Sequence, residues 1–155
     1  MEERNQIPRE GAGLAPKALD TRIKMYILVN KELHMKTGKI AGQVGHGVAA
    51  VVRLMEKLKT KSSLPKDLLE CLETYEAWTN GFECKVVLQA TTEEMKSLAA
   101  KYDIRNLNSE SNTTFAIPVF DAGKTQIPTG SFTTLTFIPI FEENAPPLLK
   151  SLKLL

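Results

Sequence analysis

Two cysteines, Cys71 and Cys84, are all that this 155-residue sequence contains. They lack metal-ligand spacing and are too few to staple a small secreted scaffold, so a reduced, cytoplasmic-type compartment is expected. No apolar run approaches the roughly 18 residues of a membrane span. The opening "MEERNQIPRE" has no apolar core of a secretory signal, so neither insertion nor export is expected. No Ser-His-Asp or Cys-His nucleophile motif is evident, which leaves covalent catalysis without an obvious carrier. Hydrophobic residues at 43% and charged residues at 25% are ordinary for a folded chain. The length suits one domain with a real core.

Acids are scarce in one stretch. From Arg22 to Lys61 nine lysines or arginines face only Glu32 and Glu56, a balance of +7, while the remainder, eleven against sixteen, carries −5. Such a segment reads either as solvated helix faces or as a basic patch aimed at a polyanion, with nucleic acid the commonest candidate.

Residues 1–21 carry charge, Pro8, Pro16 and "GAG" without hydrophobic period, the pattern of a flexible tail outside the fold. "IKMYILVN" (23–30) reads as a strand buried on both faces. Ile40, Val44, Val48, Val51, Met55 and Leu58 alternate steps of four and three, which predicts a helix over 38–59. A second helix is predicted over 65–79, with Pro65 at its first position and Gly81 as its stop. "CKVVLQA" (84–90) reads as a strand, and Thr91 with Glu94 as a capping box opening a helix to Tyr102. "TTFAIPVF" (113–120) is a strand that Pro118 assigns to an edge or bulge, and "SFTTLTFIPIF" (131–141) a fourth. "APPLLKSLKLL" reads as a short helix or an irregular closing segment. The order implies an α/β domain over 22–155: three layers, α/β/α, with a mixed, roughly four-stranded sheet and helices on both faces.

Ala122-Gly123-Lys124-Thr125 resembles the tail of a phosphate-binding P-loop. That loop needs a glycine five residues before Gly123 and a helix after Thr125. Pro118 stands at the first place, and Pro128 with Gly130 breaks the second. Gly38-Lys39 is followed by Ile40 rather than Ser or Thr, so a nucleotide-binding switch is not expected. Gly38, Gly42, Gly45 and Ala49 form one smooth stripe on the first helix. A helical glycine costs roughly 1 kcal/mol relative to alanine, so close packing against sheet or loop is the expected reason. A neighbouring polar stripe holds Lys39, Gln43, His46 and Arg53, starting at a helix N-terminus flanked by Lys36, where anions are favoured. Asp121 closes the third strand, with Thr125 four residues on. It reads either as a site carboxylate at a strand end or as a turn residue satisfying backbone N–H groups.

These blocks together resemble the type-2 (archaeal and eukaryotic) peptidyl-tRNA hydrolases. "IKMYILVNKELHMKTGKIAGQVGHG", "CKVVLQA" and "DAGKTQIPTGSFTTLTFIP" occur in that family's order and spacing, over about 23–155. The resemblance implies hydrolysis of the ester joining a peptide to the 3′-terminal ribose of tRNA, with no metal or organic cofactor. It implies a catalytic cluster of Asp121, Thr125 and a lysine, and tRNA as the partner of Gln43, His46, Arg53 and the basic segment. Water would attack directly. The family commonly carries lysines on both sides of the first helix's glycine. Thr37 takes the first of these positions here, leaving Lys36 or Lys39 for the role. A non-catalytic tRNA-binding or protein-interaction member is the alternative that Thr37 suggests, and a homodimer stays open.

Overall fold

Side-chain alternation along Ile23–Asn30 decides the architecture. Met25 and Ile27 point to one face of strand β1, where they pack with Val51, Met55, Leu72, Tyr75 and Trp78. Tyr26 and Leu28 point to the other, against Met95, Leu98, Tyr102 and Leu149. A strand buried on both faces must be apolar almost throughout, as this one is. The computed structural model describes residues 22–106, 113–122, 127–128 and 130–155. The segment 1–21 and Thr125 lie outside those residues.

After β1 come a 3-10 turn (Lys31–Leu33), α1 (Thr37–Lys59), α2 (Lys66–Thr79), β2 (Lys85–Ala90) and α3 (Thr92–Tyr102). β3 (Ala116–Phe120), β4 (Phe132–Phe137), β5 (Ile140–Phe141) and α4 (Pro147–Ser151) follow. The sheet runs β2-β1-β4-β3, with β5 paired to the start of β1. β1 and β2 are parallel, whereas β4 is antiparallel to both β1 and β3. The C-terminal ends of β1, β2 and β3 therefore meet the beginning of β4 at one end of the sheet. The fold is α/β, with α1 and α2 covering one face and α3 and α4 the other.

The helix starts follow local chemistry. Thr91 accepts from the Glu94 N–H at 3.2 Å and the Glu94 carboxylate accepts from the Thr91 N–H at 2.8 Å, the capping box expected at α3. Pro65 caps α2 from outside, so the helix begins at Lys66 rather than at the proline. The outer position of β3 admits Pro118, and its register against β4 shifts between Val119 and Phe120. The stretch 131–141 is not one strand. Pro139 has no N–H to continue the ladder, and Ile140–Phe141 peels away to pair with Ile23 and Lys24.

The glycine stripe is also placed differently from expectation. A Cβ added at Gly38, Gly42 or Gly45 would meet nothing within 4 Å, and all three are exposed. Gly47 is the close approach: a Cβ there would come within 2.1 Å of Thr136 Oγ1 on β4. The buried row of α1 is Gln43, Gly47, Val51 and Met55, one step around from the stripe that the spacing suggested.

Candidate active site

The first turn of α1 has no acidic residue, and its N-cap, Lys36, provides no side-chain cap. Its free N–H groups and the helix dipole make this end locally positive. Extended toward the N-terminus by one turn, the buried row of α1 reaches Lys39. Asp121 arrives from the other side, directly after β3. Its N–H donates to the Ser131 carbonyl at 2.9 Å and its carbonyl accepts from the Gly130 N–H at 2.8 Å. Gly130 has φ of 81°, a left-handed conformation in which glycine carries no steric cost. That turn fixes the backbone of Asp121 against the start of β4.

Across 82 residues of sequence, Lys39 Nζ donates to Asp121 Oδ1 at 2.8 Å. The two side chains are only 12% and 7% exposed. This is an ion pair largely removed from water, where Coulomb attraction is far stronger than at a surface. It sits at the strand-end edge of the sheet, as ligand sites in open α/β folds do.

Further polar groups are buried along α1 and at the strand ends. Gln43, one turn along α1 from Lys39, is 5% exposed. Its Oε1 accepts from the Thr133 hydroxyl at 2.6 Å, and that hydroxyl is also 3.1 Å from the Val119 carbonyl. Thr133 thereby ties α1 to β3 through β4. Asn30, buried at the end of β1, donates through Nδ2 to Thr92 Oγ1 at 2.8 Å and to the Phe132 carbonyl at 2.9 Å. Its Oδ1 accepts from the Glu32 N–H, and Glu32 accepts from the Thr92 N–H at 2.8 Å. The Thr92 hydrogen bonds hold the Glu32 carboxyl below its ordinary range.

Of the candidate residues, Lys39 and Asp121 are brought together. Lys36 and Thr37 are exposed at the mouth of the helix, and His46 and Arg53 are exposed along it. Gln43 is inside rather than on the surface, because it shares the buried row with Gly47. Cys71 is buried in the α2 core, and burial pushes its thiol up to about 12, which leaves it protonated and inert. Asn30 and Thr133 were missed. Asn30 was detectable as the polar residue closing an otherwise apolar strand, whereas Thr133 carried no signal within its threonine-rich strand.

The chain matches the family model described as peptidyl-tRNA hydrolase PTH2 over residues 23–155. It belongs to the PTH2 peptidyl-tRNA hydrolase family. A peptidyl-tRNA hydrolase of Sulfolobus acidocaldarius is 36% identical over 133 residues, covering 86% of this chain and all of that protein. A probable peptidyl-tRNA hydrolase 2 of Schizosaccharomyces pombe is 33% identical over 129 residues, 83% of this chain and 54% of that one. A peptidyl-tRNA hydrolase of Saccharolobus islandicus is 32% identical over 134 residues and is covered over 99% of its length.

In this PTH2 member the Lys39–Asp121 pair offers one ammonium and one carboxylate within a single hydrogen bond. An ammonium beside an acyl carbonyl stabilises the oxyanion that forms when water adds. A carboxylate in the same place can orient that water or take its proton. Among the described residues no group of three or more His, Cys, Asp or Glu is disposed to hold a metal ion, and no helix is long and apolar enough to cross a membrane.

Proposed function

We propose that this PTH2 chain hydrolyses the ester between a peptide and the terminal ribose of tRNA by direct attack of water, releasing stalled peptides and recycling tRNA. The observation that carries the mechanism is the 2.8 Å pair of Lys39 and Asp121 at the N-terminus of α1. Asp121 anchors the ammonium and receives the proton of the attacking water. The Lys39 ammonium, held by Asp121 at 2.8 Å, supplies the positive charge that stabilises the oxyanion. The ribose oxygen leaves protonated as Asp121 returns to its ionised form. Thr125, which the family resemblance assigns to the reaction, is proposed to contribute its hydroxyl.

Lys36, His46 and Arg53, with the other exposed cations of the basic 22–61 segment, bind tRNA phosphates, while Gln43 serves from inside, accepting from the Thr133 hydroxyl. A cytoplasmic location goes with this substrate. Both members of the pair come from one chain, so the mechanism does not call for a homodimer. The test is an incubation with N-acetylaminoacyl-tRNA and with free aminoacyl-tRNA. Cleavage of the blocked ester is expected; a folded protein that leaves it intact overturns the proposal.

A further inference from the structure

The residue immediately before Asp121 is an exposed aromatic. Phe120 is 52% accessible, at the end of a strand whose other residues are buried or half-buried. Its ring is not loose. It leans on the Phe132 ring with centroids 5.0 Å apart and planes 35° apart. Phe132 is itself buried, and its carbonyl is held by Asn30. Phe120 is therefore a backed aromatic surface, open to solvent, about 3.8 Å by Cα from the carboxylate residue of the site. The register shift between Val119 and Phe120 turns the strand at this point, and such irregularities commonly re-aim a side chain beside an active site.

We propose that Phe120 is the stacking platform for the nucleobase of the terminal nucleoside, the one whose ribose carries the ester. The inference rests on the hydrolase reading above. Two planar or apolar groups flank the scissile ester: the terminal base on the ribose side and the first amino-acid side chain on the acyl side. The acyl side varies in size and charge from one substrate to the next, and a rigid ring backed by a second ring adapts poorly to that variety. The base does not vary among tRNAs. A fixed aromatic face suits a fixed planar partner, and single-stranded nucleic-acid ends are commonly held by stacking on such rings.

The experiment compares the full chain with Phe120→Leu and Phe120→Trp on two N-acetylaminoacyl esters, one carried on an oligonucleotide ending in CCA and one whose terminal nucleoside lacks its base. With the complete terminus, Phe120→Leu is expected to raise KM about tenfold, the equivalent of roughly 1.4 kcal/mol of stacking, with kcat within about twofold. Phe120→Trp retains the wild-type KM. With the abasic terminus, wild type and Phe120→Leu share the raised KM. An equal penalty on both substrates would assign Phe120 to the acyl side or to folding and overturn the proposal, as would an unchanged KM on both. Binding of the uncharged CCA trinucleotide, followed by upfield shifts of the adenine protons in wild type and not in Phe120→Leu, separates this inference from the hydrolase reading. Those shifts persist if turnover fails for another reason, and their absence overturns the platform.

Discussion

Lys39 and Asp121 act as a unit, so each loses its meaning without the other. Lys39→Met and Asp121→Asn are each expected to cut kcat/KM by at least about tenfold, and the double variant to lose little more than the worse single. Steady-state rates on N-acetylaminoacyl-tRNA check this; additive losses would show the two acting apart. Stability should behave alike. Asp121→Ala strands an ammonium that is largely withdrawn from water, so it is expected to cost up to about 3 kcal/mol in urea unfolding, with part returned by adding Lys39→Met. Lys36, exposed at the helix mouth, is a different kind of residue. Lys36→Ala is expected to leave kcat within about twofold and to make the salt dependence of KM shallower, as one lost phosphate contact does.

At the scale of elements, the α1–β4 contact limits how the site is built. Gly47→Ala places a methyl about where Thr136 Oγ1 already lies and is expected to destabilise by about 2 kcal/mol or more. Trimming the opposite residue with Thr136→Ala returns part of that. Gly42→Ala, in open space on an exposed helix interior, is expected to stabilise by up to about 1 kcal/mol. Urea midpoints of the three variants measure both effects. The end of α3 supplies a pH test. Burial pushes the Asp103 carboxyl up, but hydrogen bonds from the Arg105 guanidinium and N–H outweigh it and hold the group below its usual range. A depressed folded pKa stabilises above the unfolded value of about 3.9 and ceases to do so as pH falls through the folded value. The stability gap between wild type and Arg105→Ala is therefore expected in full well above the unfolded value of about 3.9, at roughly pH 6, and to close as pH falls below that value.

For the whole molecule, the β2 edge of the sheet is the weak point, and residues 153–155 cover it. The Gln89 N–H donates to the Lys153 carbonyl at 2.9 Å and the Leu155 N–H to the Val87 carbonyl at 3.0 Å. Removing Lys153–Leu155 bares the outer side of β2, and unpaired strand edges recruit other edges. Concentration-dependent association in sedimentation experiments is the expected result, with the Lys39–Asp121 site intact at low concentration.

Where information was local, the sequence was enough. The extent of β1, the Thr91–Glu94 capping box and the edge placement of Pro118 follow from neighbours a few residues apart, because hydrophobic period, cap geometry and missing N–H groups are properties of short segments. The motif blocks likewise placed Asp121 at a strand end. What the sequence left open depended on which row of α1 faces the sheet, a rotation of the helix that only packing against β4 sets. That rotation carried Gln43 indoors, left Gly38, Gly42 and Gly45 facing open space, and made Gly47 the point of contact. It also set the two lysines around Thr37 apart: Lys36 stands outside, and Lys39, on the buried row, reaches across 82 residues to Asp121. A pair so distant in sequence has no local signature, since its energy exists only once the chain has folded and water has been excluded around it.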